Sequence, residues 1–385
     1  MVESIEFPAY QFRFVRYCGV VDQPTLWSRL RLCYAFLLLC TFSPLHVWYL
    51  AKNPLSELVV TCEEIMLLQL SSVMVLKCNL FISHRTGIND LVKAFKSIQK
   101  RINQDEFPRF FECHKLHAKL LRAYVTGTTI VMMLYELNAI VTSVSLSLQQ
   151  NTVRFVTPFN FPFDYQHPIV FAVAFLHNFD AMLITMFVSV TIDTCYSEMA
   201  SHLVIHFDIV RERFEKLNIS VDNPLADSEL KDVISYHSDV LSLAQKMVLV
   251  FQQSAFYLLL LVSTILCLLG FEFVMVSNFY KRMQVAVLAS IMIGQAALYT
   301  YHGSAICAKA SNKTVSVSDA IYGTNWYEAR PVVKKQIYIC LMRAQKPVIM
   351  KSGFIEASLP TLKKILSSSA SYITMLMSLE PVVGN

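Results

Sequence analysis

The sequence predicts an all-α membrane protein of seven transmembrane helices, with its N-terminus cytoplasmic and its C-terminus extracellular. Three observations predict it. Of 385 residues, 55% are hydrophobic and 16% charged, with only 9 glycines, and mean hydropathy is +0.46; a soluble chain of this length would carry more charge. Seven runs are each long enough to cross a hydrocarbon core of about 30 Å. Lys and Arg then fix the orientation: alternate connecting segments hold 25 against 4 of them, and the basic set belongs in the cytoplasm.

The N-terminal segment, residues 1–31, mixes aromatics with Arg13, Arg16, Arg29 and Arg31 and suits the inner membrane surface. No cleavable signal peptide is expected, because the first apolar run is too long for a signal core and lacks a small-residue cleavage site. The six runs before the last lie at residues 32–50, 58–82, 123–148, 168–196, 247–273 and 283–307. Pro44 predicts a kink near the outer end of the first span. The second holds Glu63 and Glu64 near its outer mouth and Lys77 near the inner face, where a lysine can snorkel to the interface. The basic loop at 84–121 is helical in pattern. Its Cys113, His114 and His117 lack a fourth ligand nearby and read as a solvated face rather than a metal site.

Glu136 and Asn138 lie deep in the third span, His177 and Asp180 deep in the fourth. Ionisable groups at that depth need a cavity or a partner. Glu136 and Asp180 come to similar depth, so they read either as a hydrogen-bonded clamp or as part of a binding site. The loop at 151–168, rich in Pro and Phe, predicts a stiff apolar lid. The fourth span continues beyond Tyr196 as an amphipathic helix, broken at 221–224. A second helix rises from near Asp227 into the fifth span. These extensions are expected to pack with residues 315–346 into an intracellular bundle that joins subunits. The sequons at Asn218 and Asn312 fall on the cytoplasmic side, where they go unused. None of the ten cysteines falls in an outer loop, so no outer disulfide staple is expected.

The last run, 354–379, is not uniformly apolar. Ser358, Thr361, Ile365, Ser368, Tyr372, Met375 and Leu379 recur at spacings of 3 and 4, on one helical face, and Lys364, Ser371 and Ser378 widen it. Charge facing hydrocarbon costs about 2.5–3.5 kcal/mol per residue even on lenient scales. Such a helix lines water or hydrogen-bonds its neighbours.

Chemistry of other kinds finds no support. CxxC, HExxH, GxSxG and GxGxxG are absent, and no two glycines are close enough to cradle a phosphate. Basic residues form loops rather than an aromatic-interleaved nucleic-acid face. Neither an enzyme, a cofactor, a metal nor a nucleic-acid partner is expected.

Tyr322, Asn325-Trp326-Tyr327, Arg343-Ala-Gln345-Lys346-Pro347, Gly353-Phe354 and Ser369-Ala-Ser371-Tyr372-Ile-Thr-Met-Leu376 resemble the C-terminal signature of the insect odorant receptors. Phe161-Pro162-Phe163-Asp164 and the inner end of the sixth span, Tyr299 to Ser304, resemble the same family, so the likeness covers about residue 160 to the end. The resemblance implies an odorant-gated, non-selective cation channel. It would be a tetramer with the odorant co-receptor, in the plasma membrane of olfactory neuron dendrites. Residues 1–314 would form six spans and their extensions, 315–353 an anchor segment, and 354–385 the pore helix and a short outer tail. By the match at Tyr372, the outer constriction would fall at Met375 and Leu379, beside Ser378. A small volatile odorant would bind in the outer half, among Met66, Gln69, Val73, Met133, Glu136, Ile140, His177, Asp180, Ile184 and Ile291, with membrane lipid around the bundle. Methionines suit an adaptable apolar cavity. A gustatory receptor is the alternative within the superfamily, and Ser371-Tyr372 without a following glutamine favours the odorant branch. A G-protein-coupled receptor would need the opposite topology, and a secondary transporter an internal repeat that is not visible.

Overall fold

A computed structural model describes residues 26–53, 58–150, 163–164, 167–219, 226–311 and 317–383. Residues 1–25 of the N-terminal segment, the break at 221–224, the sequon at Asn312 and most of the lid at 151–168 lie outside the described residues. The helices follow as α1 (Leu26–Lys52), α2 (Leu58–Ser83), α3 (Arg85–Gln99), α4 (Phe107–Gln150), α5 (Pro168–Lys216), α6 (Ala226–Met275) and α7 (Phe279–Ser311). After them come α8 (Val317–Tyr322), α9 (Pro331–Ala344), an antiparallel hairpin of β1 (Lys351–Ser352) and β2 (Ile355–Glu356), and α10 (Leu359–Val383).

Five of these helices, α1, α2, α5, α6 and α7, are long and apolar enough to cross a membrane. At 44 and 25 residues, α4 and α10 have the length. Helix α10 is the more polar of the two, with Lys363, Lys364 and five serines from 367 onward, whereas several side chains in the upper half of α4 lie outside the described residues. Helix α1 runs through Pro44 without ending.

The end of the bundle where α2 turns into α3 and α8–α9 gather is the lower end here; the end where α1 turns into α2 and α6 into α7 is the upper. At 49 and 50 residues, α5 and α6 span about 75 Å each, more than twice the hydrocarbon thickness. Their excess length projects at the lower end as the sequence predicts. There α5 offers Phe207, Val210 and Phe214, α6 Leu230, Val233 and Val240, and α8 and α9 Ile321, Val333 and Ile337 to one continuous core. Burying each such side chain stabilises by about 1.5–3 kcal/mol. Polar groups stitch the core's edge. Arg213 donates twice to Glu106, at 2.7 and 2.8 Å, and lies 4.1 Å over the Tyr236 ring. The Asn325 amide receives the Ile219 N–H at 3.0 Å and donates to Asn218 at 3.2 Å, fastening the end of α5 to the turn before α9.

The last helix begins at Leu359 rather than near Phe354. Gly353 and Phe354 form the two-residue loop of the hairpin, with Gly353 at φ 56°, a conformation that such a tight turn assigns to glycine. Pro360 follows in the first turn, where a missing N–H costs nothing. The lower end of α7 holds this start in place. Ser304 Oγ accepts the Leu359 N–H at 2.8 Å. A Cβ on Gly303 would lie 2.1 Å from the Ala357 carbonyl oxygen, so only glycine lets α7 pass so close.

Candidate ligand cavity and pore face

Near the upper end, α4 and α7 stand apart around an apolar cavity of about 270 Å³. Val131, Met132 and Leu134 line it from α4. From α7 come Tyr280, Met283, Gln284, Val287, Leu288 and Ile291, recurring at spacings of 3 and 4 and so presenting one helix face. A single amide and a phenol among apolar walls suit a small ligand with one hydrogen-bonding group. A second cavity, of about 700 Å³, opens between α1 and α5. Thr41, Pro44, Trp48, Ile169, Val173 and His177 line it, with Phe163 from the loop.

The ten ligand candidates do not share one cavity. Ile291 lines the first and His177 the second, where the His177 ring is 2.9 Å from Thr41 Oγ1. Met66 is buried in the main core. Val73 packs with Leu39 and Met74, and Ile184 lies against that cluster. Gln69 accepts the Thr264 hydroxyl at 3.1 Å. Met133 is exposed and Ile140 half-buried on α4; the Glu136 side chain lies outside the described residues. Asp180 accepts the Tyr34 hydroxyl at 2.9 Å, a partner on α1. The cavity-lining stripe of α7 went unremarked in the sequence, although its spacing was visible there.

The two acids at the head of α2 are both paired. Glu63 takes Lys281 at 2.7 Å, and Glu64 meets His46 at 2.7 Å within a buried contact. Lys77 does not snorkel. Its ammonium is wholly buried and 2.7 Å from Asp193, itself wholly buried. Tyr299 donates to the same carboxylate at 2.8 Å, and Gln295 and Ser189 complete its shell. The reason is local: a carboxylate with three further donors solvates the ammonium without any need to reach the interface. Neither Asp193 nor Gln295 is singled out by the sequence reading, though an acid inside an apolar run is itself the signal.

Histidines tie α4 to α5 below this pair. His114 and His117 are half-buried rather than solvated. Their rings meet His202 at 2.9 Å and Ser201 Oγ at 2.9 Å. Burial pushes His114 below the ordinary range and His117 to about 4. Cys113 points outward. Among the described residues, no group of three or more metal-ligating side chains converges.

Helix α10 packs one face on α6 and α7. Ile365 is buried in the main core, Ser369 donates to the Ser263 carbonyl at 3.0 Å, and Ile373 fills the space beside Gly270. Ser358, just before the helix, Thr361 and Ser368 are half-buried. Lys363, Lys364, Ser367, Ser371, Tyr372, Thr374 and Met375 are exposed. Several of these hydroxyls bond back to their own helix, Ser368 to Lys364 and Ser371 to Ser367. The side chains of Ser378 and Leu379 lie outside the described residues.

Long membrane-crossing helices, a small apolar upper cavity and a polar-faced terminal helix together define a seven-helix membrane receptor. Comparison with known proteins makes the class specific. The family model described as 7tm Odorant receptor matches residues 57–370, and the chain belongs to that family. It is 23% identical to odorant receptor 82a of Drosophila melanogaster over 84% of this chain and 85% of the other. It is 26% identical to odorant receptor 9a of the same species over 60% and 58%. The solved insect olfactory receptor OR5 of Machilis hrabei, in complex with eugenol, superposes with a TM-score of 0.76 at 14% identity, covering 92% and 90% of the two chains. This is a receptor and not an enzyme.

Proposed function

We propose that this chain is the odorant-selective subunit of a ligand-gated, non-selective cation channel. It assembles with the odorant co-receptor as a tetramer around one pore, in the plasma membrane of olfactory neuron dendrites. The observation that carries this reading is the uncovered face of α10. Two lysines, three hydroxyls and Tyr372 stand out from the protomer along a helix at membrane depth, and hydrocarbon cannot cover them at acceptable cost. Neighbouring subunits and a water-filled axis can. The exposed Tyr338, Ile339 and Met342 of α9 supply an apolar surface for a second subunit at the lower end. The basic bias of the lower segments puts that end in the cytoplasm.

The cavity between α4 and α7 is the odorant site of this reading, and its wall residues Met132, Met283 and Ile291 set the ligand's size and shape. Tyr280 and Gln284 orient it. Binding there opens the pore by favouring the arrangement of α7 that the open state needs, since Gly303 and Ser304 of that helix hold the start of α10.

Whole-cell recording from cells expressing this chain with and without the co-receptor tests the proposal, during a volatile panel and with G-protein signalling blocked. A fast cation current that needs both chains is expected. A response that vanishes with the G-protein block removes the channel reading. Ile291→Trp fills the cavity and is expected to abolish the odorant response at unchanged surface expression; an unchanged dose–response curve places the site elsewhere.

A further inference from the structure

At the lower end, α6 and α9 touch where the His237 ring lies 3.4 Å from the Cys340 thiol, and around that contact they leave a cleft of about 570 Å³. Neither the upper cavity nor the pore face uses it, and only Ile339 of its lining belongs also to the α9 surface proposed to meet a second subunit. Its α6 wall presents Lys231, Ser235, Ser238, Ser242 and Gln245 beside Ile234 and Leu241, and its α9 wall Gln336, Cys340 and Arg343 beside Ile339. The spacing on each helix keeps these groups on one face. Nearly every polar group in the cleft is a hydrogen-bond donor, and none of the lining residues is Asp or Glu. The acids of this part of α6 point elsewhere: Asp232 and Asp239 are both held by Arg101. His237 is buried and neutral, held at about 4 by burial and by the nearby Arg343 guanidinium. Lys231 and Arg343 both line the cleft, and no carboxylate stands among its lining residues. Set among these apolar side chains, two cations, hydroxyls and amides are complementary to an anion with several acceptor oxygens, and a guanidinium favours phosphate.

We propose that the cleft between Lys231, Ser235 and Ser238 of α6 and Gln336 and Arg343 of α9 is a binding site for a phosphate-bearing anion. Bound there, the anion bridges α6 to α9 and stiffens the joint between the membrane helices and the lower bundle. Phosphate in this position comes either from a soluble polyphosphate or from a lipid headgroup, because Gln245 stands within one turn of the start of the apolar part of α6.

The test needs no current, so it stands or falls separately from the channel reading. The full-length chain is reconstituted in phosphatidylcholine nanodiscs, and sodium pyrophosphate is titrated by calorimetry at two salt concentrations. Nanodiscs containing phosphatidylinositol bisphosphate form the second arm, read by the shift in thermal midpoint. Saturable pyrophosphate binding is expected, weakened by salt, and weakened at least about tenfold in Lys231→Gln/Arg343→Gln. Lys335→Gln, a lysine of α9 outside the cleft, is expected to bind as the parent does. A midpoint shift with the lipid alone, lost in the double variant, assigns the phosphate to the membrane. Should the double variant not fold, Ser238→Asp places a carboxylate in the cleft and is expected to abolish binding. Absence of binding in both arms at millimolar probe, or equal binding in the cleft variants, overturns the proposal.

Discussion

The two halves of helix α5 live in different surroundings. From Ile192 to Ala200 every side chain is buried, and beyond it Leu203, Phe207 and Val210 continue into the lower core. From Ile169 to Leu176 the same helix exposes Ile169, Val173 and Leu176 and lines an open cavity. The lower half is held by aligned apolar faces and by paired charges, so its register is fixed. The upper half keeps room between helices and relies on isolated hydrogen bonds such as Tyr34 to Asp180. A receptor needs both: space where the ligand enters and rigidity where its arrival must be transmitted.

The largest effect is expected at the boundary of the halves. Lys77→Ala or Asp193→Ala leaves one uncompensated charge in the bilayer interior, a loss of about 3–5 kcal/mol, and surface biotinylation should find little receptor. The double variant Lys77→Met/Asp193→Leu should recover most of it. If either single variant reached the surface at parental levels, the pair would not be what separates scaffold from cavity.

Gly303→Ala ranks next. Its Cβ meets backbone, which cannot swing aside as a side chain does, and overpacking costs about 1–3 kcal/mol. A lowered thermal midpoint in detergent is expected, with a right-shifted odorant response because α10 is displaced. Parental values for both would mean that α7 and the start of α10 pass further apart.

Acidification should separate the halves more gently. Burial holds His117 at about 4, His206 at about 3 and His237 at about 4, whereas an unfolded chain protonates these rings near 6.5. The unfolded state therefore binds protons first as pH falls. Stability of the lower half is intact above about pH 7 and declines from about 6.5 toward 4. Fluorescence of Trp326, in a variant with Trp27 and Trp48 replaced by Phe, reports the lower end during thermal unfolding. A midpoint that falls between pH 7.5 and 5 is expected; one that rises would contradict these burials.

The smallest effect on stability belongs to the upper cavity. Ile291→Trp places bulk where space already exists, and a change within about 1 kcal/mol is expected. A loss as large as that at Lys77 would mean the cavity closes in solution.

The helices and their extensions were legible because apolar runs of that length have few other uses. The position of α10's partners was less so. Periodicity grouped Ile365 with Tyr372 and Met375, yet Ile365 enters the protomer's own core while the other two face out; a stripe spanning several turns does not say which end a neighbour covers. Lys77 reads from sequence as a snorkelling lysine because its counter-charge, Asp193, lies 116 residues away. The upper cavity was hardest to foresee. Whether two helices touch or stand apart depends on their crossing, and Met66, Val73 and Ile184 became packing residues while Met283 and Val287 became walls.

Among the described residues, helix α4 is fastened to its neighbours near its lower end through Arg109 to Glu212, His114 to His202 and His117 to Ser201. Above Tyr124 it touches α7 only lightly. A wall attached in this way can lose or gain a methylene at Val131, Met132 or Leu134 without disturbing a buried contact elsewhere. On the proposed reading of this cavity, lineages that duplicate such a gene drift toward new volatiles one substitution at a time, because recognition sits where folding makes few demands.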